Sequence, residues 1–304
     1  MKIGLITNGH AEGTFSGRVN TMEIEKLIIS NGGISRHSRD YSGHLDDIVS
    51  EFYSSSVGVV VSNGGDGTFQ KVITSYIRNN RGRTLPKFVI LRSGSMNILA
   101  DAFDCSKYPK KAIVNLTQSK VQGFDLGILK VSSKDEVNYG TLFASGAIYN
   151  FVKEQDNPHG GRKTRTKAGL FIVKSLLSNS FAESLLEPTI SELYVDGEYR
   201  GKEHTSILAS TYKINILKIK PFHWMPELCK GFYQGDNNFR AKEYFSNFLN
   251  FTLGNRVETC NYKIGTNHIY MRSDKEFGYT LDGELFTSKE TNVEEGNKIE
   301  LLRC

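Results

Sequence analysis

The run Val57-Gly58-Val59-Val60-Val61 leads straight into Ser62-Asn63-Gly64-Gly65-Asp66-Gly67-Thr68, and a stretch of helical period follows. An unbroken β-branched run suits a strand buried on both faces of a parallel sheet. Ligands of such sheets bind outside the carboxyl ends of the strands, so this loop stands where a ligand is expected. Gly64, Gly65 and Gly67 let the backbone turn tightly and bring bare N–H groups against a phosphate. Thr68 is read as the cap of a helix over residues 68–79, whose positive N-terminal end favours an anion. Asp66 sits in the middle of this anion-friendly loop. A carboxylate there repels phosphate unless a cation or a proton to be removed justifies it, so Asp66 is a candidate magnesium contact or general base. The plainer reading is a glycine-rich hairpin turn with an ordinary turn aspartate.

Short apolar runs alternate with helical stretches over the first 125 residues, as in α/β folds. Residues 3–7 read as a strand, and residues 19–30 as a helix with Met22, Leu27 and Ile28 inward, stopped by Asn31-Gly32-Gly33. Residues 34–39 are a more polar strand, residues 45–53 a helix and residues 88–91 a strand. A second glycine-containing loop at 92–97 precedes helical segments to about Gln118. From Gln122 onward strands dominate, at 124–131, 139–149, 192–195 and 207–210, with one helical interruption at 167–178. The expected organisation is an α/β parallel-sheet domain over 1–125 and a mostly antiparallel β-sandwich domain over 126–304, its C-terminal tail packing back on the first.

The chain has no Gly-x-x-x-x-Gly-Lys-[Ser/Thr] loop and no Gly-x-Gly-x-x-Gly fingerprint at this loop, which excludes a P-loop NTPase and argues against hydride transfer. Gly64-Gly65-Asp66-Gly67-Thr68 instead resembles the nucleotide motif shared by diacylglycerol, sphingosine and ceramide kinases, NAD kinases and, more loosely, phosphofructokinases. Leu91-Arg92-Ser93-Gly94-Ser95-Met96-Asn97-Ile98-Leu99-Ala100 is similar to the lipid-kinase pattern Leu-Pro-x-Gly-Thr/Ser-x-Asn-x-Leu-Ala. Tyr279-Thr280-Leu281-Asp282-Gly283-Glu284 resembles the Asp-Gly-Glu motif that lipid kinases bring to the nucleotide site from their β-rich domain. The three occur in the family's order, and the resemblance to bacterial diacylglycerol kinase-like lipid kinases spans nearly the whole chain.

That resemblance implies ATP and magnesium in a cleft between the domains, with Gly64, Gly65, Gly67 and Thr68 on the phosphates and Ser95 and Asn97 completing the pocket. Asn8 matches the asparagine of the family's Asn-Pro-x-x-Gly loop, with Gly9 in place of proline. Arg165, in the densest basic stretch of the chain at 160–169, matches arginines that reach ATP phosphates in the sphingosine type. Asp66 is expected as the base that takes the proton from the lipid hydroxyl, and Glu284 as a second carboxylate on magnesium, nucleotide or acceptor. Asp282 supports Glu284, and the two catalytic roles are exchangeable at this level. Asp282-Gly283 is equally a hairpin turn signal. The earlier copy, Asp196-Gly197-Glu198, is read as a solvent turn. Asn150 stands where sphingosine kinases hold an acidic residue for the substrate amine, which tilts the expected acceptor toward an uncharged lipid.

The expected reaction is transfer of the ATP γ-phosphate to a diacylglycerol-, ceramide- or sphingoid-type hydroxyl. The alternatives are a NAD kinase-like enzyme on a soluble acceptor and a non-catalytic regulator that binds lipid or nucleotide. No window approaches the ~18–20 apolar residues that span a bilayer, so membrane contact is expected to be peripheral, from the cytoplasm. The net charge of +5 suits anionic partners. Cys105, Cys229, Cys260 and Cys304 form no Cys-x-x-Cys pair, which argues against zinc or a disulfide framework. Neither nucleic acid nor a further cofactor is expected, and a homodimer is allowed for. The segment 220–226 carries the only tryptophan, Trp224, read as core packing or as a contact with a membrane interface.

Overall fold

The structure is a computed structural model and describes residues 1–11, 19–38, 44–134, 136–156, 170, 174, 178–216, 218–228 and 230–304. The chain forms two compact units. One comprises Met1–Leu126 with Lys298–Cys304, the other Gly127–Asn297.

The first unit holds β1 (Ile3–Asn8), α1 (Thr21–Ser30), β2 (Ile34–Ser38), α2 (His44–Ser54), β3 (Val59–Gly64), α3 (Asp66–Arg78), β4 (Lys87–Arg92), α4 (Ile98–Ala102) and α5 (Pro109–Thr117). It also takes the start of β5 (Gln122–Ser133) and the end of β14 (Glu284–Arg303). Its strands lie in the order β2-β1-β3-β4-β14, all parallel. Helices cover both faces. Leu5, Val59, Val61, Val89 and Leu91 pack in one cluster with Ile24 and Ile28 of α1 and with Ala112, Ile113 and Leu116 of α5. On α3, Phe69 and Tyr76 meet Phe88 edge-on, at 6.0 and 5.5 Å between ring centroids. Two-sided burial is why β3 is apolar without alternation. Each such side chain stabilises the sheet by roughly 1.5–3 kcal/mol.

Helix α1 starts at Asn20, whose side chain accepts the Glu23 N–H at 3.2 Å. Its buried face is set by Ile24 and Ile28, one turn apart. Met22 lies nearly opposite Ile24 and is 72% exposed, so it is not the inward residue that periodicity suggested. Helix α3 starts two residues before the expected position. Gly65 is its N-cap, no side chain caps it, and Asp66 opens the first turn. Thr68 is therefore inside the helix and buried, not the cap.

The second unit continues β5 and adds β6 (Val137–Gly140), β7 (Leu142–Gly146), α6 (Ala147–Asp156), α7 (Asn179–Leu185), β8 (Thr189–Val195), β9 (Glu198–His204), β10 (Ser206–Ser210), β11 (Phe232–Asn237), α8 (Ala241–Leu253), β12 (Asn261–Thr266) and β13 (His268–Leu281), then most of β14. Its strand pairings are antiparallel: β12-β11-β10-β7-β13-β14, with β8 and β9 branching from β13 and β6 pairing β5. Strand β13 serves both branches. Ile269–Arg272 pairs with β8, Tyr279–Leu281 pairs with β7, and the register shifts in between. Leu193 and Val195 from one branch and Phe143, Ile207 and Phe232 from the other share one core. The alternation of β8, with Ser191, Leu193 and Val195 buried and Ile190 outward, is the period of a sheet covered on one face.

The strand expected over 139–149 is two short strands followed by a helix. The Ala147 N–H leaves the β7 ladder to donate to the Thr205 carbonyl at 2.7 Å, and α6 begins there. The interruption expected at 167–178 falls largely outside the described residues. Trp224 packs edge-on against Tyr262, with centroids 5.1 Å apart, and the Arg256 guanidinium lies 5.3 Å from its ring. It belongs to the packing of this unit.

His204 is buried at the end of β9, its Nδ1 3.9 Å from Asp236 Oδ2. The Asp236 carboxylate accepts from Gln234 Nε2 at 2.7 Å and Asn261 Nδ2 at 2.8 Å. Burial pushes the imidazole pKa below its ordinary 6.5, outweighing the Gly201 backbone contact and the Asp236 charge. The unfolded chain then takes up a proton below about pH 6.5 that the folded chain resists, so stability is lost as pH falls. The urea midpoint followed by Trp224 fluorescence should drop between about pH 7.5 and about pH 5.5, and His204→Gln should flatten that drop. An equal slope in both proteins would assign the acid sensitivity to other groups.

Candidate active site

The parallel sheet brings the carboxyl ends of β1, β3 and β4 to one edge of the first unit, since Thr7 pairs with Asn63 and Gly64 with Arg92. A buried polar chain ties these ends together. Asn63 Nδ2 donates to Thr7 Oγ1 at 3.3 Å, and Ser93 Oγ donates to Asn63 Oδ1 at 2.5 Å. Above it, Asn8 Nδ2 donates to Thr68 Oγ1 at 3.0 Å, so the ends of two strands and the first turn of α3 share one network. Thr7, Asn63 and Ser93 were not singled out from sequence. Their signal is a polar residue closing an otherwise apolar run in neighbouring strands.

The loops after β3 and β4 touch backbone to backbone. A β-carbon at Gly94 would lie 2.3 Å from the Gly65 α-carbon, so no other residue fits there without displacing a loop. Asn97, at φ +51°, closes the second loop on itself: the Gly94 N–H donates to its Oδ1 and its Nδ2 donates to the Gly94 carbonyl, both at 2.9 Å. The Asn97 amide thus shapes the loop. Ser95 is half-buried within it, and Gly67 lies in the first turn of α3.

Asp66 makes the contact that sequence could not supply. Its Oδ2 accepts the Ile98 N–H at 2.8 Å and its Oδ1 the Leu99 N–H at 3.1 Å, so the carboxylate covers the N-terminal end of α4. Arg92 holds the other end of the same helix. Its Nε donates to the Cys105 carbonyl at 2.8 Å and its Nη2 to the Ala100 carbonyl at 3.1 Å, while Nη1 pairs with Asp101. The arginine that stands in place of the family's proline is a brace for α4.

In the second unit, Asp282 and Gly283 form the two-residue turn of the β13–β14 hairpin, at φ +49° and +87°, with Leu281 paired to Glu284. The Asp282 carboxylate accepts the Thr141 N–H and the Thr141 hydroxyl, both at 2.8 Å. Glu284 follows at the start of β14, half-buried. The earlier copy builds the same kind of turn, Asp196 and Gly197 at φ +49° and +83° between β8 and β9. Asp196 is not a plain solvent turn: it accepts the Asn267 and His268 N–H groups at 2.9 Å and pairs with Lys263 at 2.7 Å. Asn150 donates to the Leu185 carbonyl at 3.1 Å and the Glu187 carbonyl at 3.3 Å, holding the end of α7. Arg165, with Arg162 and Lys167, lies outside the described residues.

Among the described residues no three His, Cys, Asp or Glu side chains gather as a metal cluster. Magnesium prefers phosphate and water to an all-protein cage, so one or two carboxylates beside the glycine loops fit such an ion. No described helix is long and apolar enough to cross a membrane.

A parallel α/β unit joined to an antiparallel β unit is an architecture already seen in solved structures. A candidate diacylglycerol kinase from Bacillus anthracis str. Sterne is similar with a TM-score of 0.73 at 14% identity, covering 100% of this chain and 97% of the other. A diacylglycerol kinase from the same organism gives 0.64 at 13% identity, with the same coverage. Residues 2–129, which include the loops after β1, β3 and β4, match the family described as the diacylglycerol kinase catalytic domain. Over these residues the chain is similar to a diacylglycerol kinase catalytic domain. No curated protein matches it in sequence.

Substitutions at two positions test the braced loops. Arg92→Met should destabilise the first unit by about 2–4 kcal/mol, the scale of removing charged hydrogen bonds from a largely buried site, and Arg92→Lys should recover only part. Denaturant unfolding measures both, and an unchanged Arg92→Met midpoint would show that α4 stands without the brace. Gly94→Ala should leave the sheet folded and, if the joined loops hold a nucleotide, weaken its binding at least tenfold, read by calorimetric titration.

Proposed function

We propose that the protein is an ATP-dependent lipid kinase that transfers the γ-phosphate to a hydroxyl of a diacylglycerol-, ceramide- or sphingoid-type lipid. The observation that carries this reading is the pair of glycine loops, Gly64–Gly65 and Gly94, held backbone to backbone at the start of α3 inside the matched domain. A helix leaves its first N–H groups without intrahelical partners, and here no side chain caps Gly65. The N–H groups of Gly67 and Thr68 and the positive helix end suit the terminal phosphates of a nucleotide. Asn8 orients the Thr68 hydroxyl, and Ser95 borders the same loop.

Phosphoryl transfer asks a protein mainly for position and charge neutralisation. Magnesium bound with the nucleotide would bridge phosphate oxygens and offset their charge. Asp66 suits the support of that ion. Its carboxylate is held in place by the Ile98 and Leu99 N–H groups beside the glycine loops. The resemblance makes Asp66 and Glu284 the two carboxylates of the reaction, one as the base and the other at the ion, with Asp282 fixing the turn before Glu284. The resemblance adds Arg165 as a phosphate contact. The lipid is met peripherally at a cytoplasmic membrane surface.

Labelled ATP presented with a panel of detergent-dispersed lipids should yield a phosphorylated lipid. Phosphorylation of NAD with no lipid turnover would replace this reading with a soluble-acceptor kinase. Asp66→Asn should lower turnover by roughly 10²–10⁴-fold. Glu284→Gln should lower turnover on a similar scale, and near-parent turnover in either variant would remove that carboxylate from the chemistry.

A further inference from the structure

Helix α8 carries two exposed leucines on one stripe. One side of the helix is anchored, since Phe251 packs with Phe239, Val257 and Cys260 in a small separate core. One turn apart on another side, Leu249 is 66% and Leu253 63% exposed. Lys242 and Ser246, also exposed, continue the same stripe at helical spacing. Exposed leucines scattered singly need no explanation, but two adjacent ones on the rim of an anchored helix form a patch.

The charges around the patch select its occupant. Lys220 and His223 pack against Gly254, the residue that ends α8, and the Lys220 N–H donates to the Phe251 carbonyl at 2.8 Å. Lys218 and Arg256 are exposed nearby in sequence. Of the acidic residues close to the helix in sequence, Glu243 is engaged by the Arg240 N–H at 2.9 Å and Glu227 by Lys213 at 2.8 Å, and Glu258 is exposed. Apolar side chains beside lysine and arginine are the composition of a helix that lies at an anionic lipid interface. A second copy of the chain would set like charges against each other. Another exposed helical pair, Met22 and Ile29 on α1, is two turns apart rather than one.

We propose that α8 docks the protein on anionic membrane lipid, with Leu249 and Leu253 entering the headgroup boundary and Lys218, Lys220, Lys242 and Arg256 meeting lipid phosphates. The inference rests on the lipid-kinase reading for its purpose, but the surface is testable alone.

The full chain is sedimented with vesicles of phosphatidylcholine, and of phosphatidylcholine with phosphatidylglycerol. Binding should need the anionic lipid and weaken as salt rises. Leu249→Ser with Leu253→Ser should bind at least about tenfold more weakly. Lys218→Ser with Lys242→Ser should lose most of the preference for phosphatidylglycerol. Both variants should keep the Trp224 fluorescence of the folded protein and the parent's turnover of detergent-dispersed lipid. Undiminished sedimentation of the leucine variant would overturn the proposal. So would a parent dimer that this variant converts to monomer, because a second copy would then cover the face. Intact vesicle binding without turnover of any lipid would overturn the kinase reading and leave the docking face standing.

Discussion

The carboxylate of Asp66 lies across the first two N–H groups of α4, and through it the loop after β3 and the loop after β4 become one object. A hydrogen bond to a charged acceptor contributes about 1.5–3 kcal/mol, enough to hold two otherwise independent loops in a single arrangement. The contact at Gly65 and Gly94 works only while that arrangement persists, and the Arg92 brace keeps α4 from swinging away at its far end. Beneath them the buried chain from Thr7 through Asn63 to Ser93 fixes the strand ends from which both loops leave. Rigidity made this way costs nothing at the moment of reaction, which is what a site that works by position requires.

The same device recurs in the second unit with different partners. Two Asp-Gly-Glu segments make two hairpins of like geometry, and in each the aspartate reaches past its own turn to a neighbouring strand. Asp282 takes both donors of Thr141 and Asp196 takes Asn267 and His268. Turn chemistry alone does not separate a site-bearing copy from a structural one. What differs is the exposure of the residue just beyond each turn: Glu284 is half-buried at the start of β14, whereas Glu198 is exposed.

The α/β unit was legible in the sequence because its strands are buried on both sides and its helices keep their period, so apolar runs mark each strand. The antiparallel unit was legible where one face is wet, as in β8. Phase errors came where a residue was judged by hydrophobicity alone. Met22 is apolar but sits outside the arc set by Ile24 and Ile28. The start of α3 was misplaced because glycine caps it, and a glycine cap leaves no side-chain signature. Residues 139–149 looked like one strand because the departure of Ala147 from the ladder depends on Thr205, far along the chain. The glycines and carboxylates of the candidate site were marked by local pattern. Their working partners, Ile98 and Leu99 for Asp66 and Gly94 for Gly65, depend on the pairing of β3 with β4, which a single sequence does not display.

The central claim is that the joined loops at the start of α3 hold the phosphates of ATP. Hydrogen exchange of the full chain, followed by mass spectrometry with and without magnesium and ATP, addresses it directly. The account predicts that amides of residues 65–69 and 93–99 become protected together on addition of nucleotide. Protection confined to one of these loops, or found only elsewhere in the chain, would contradict it.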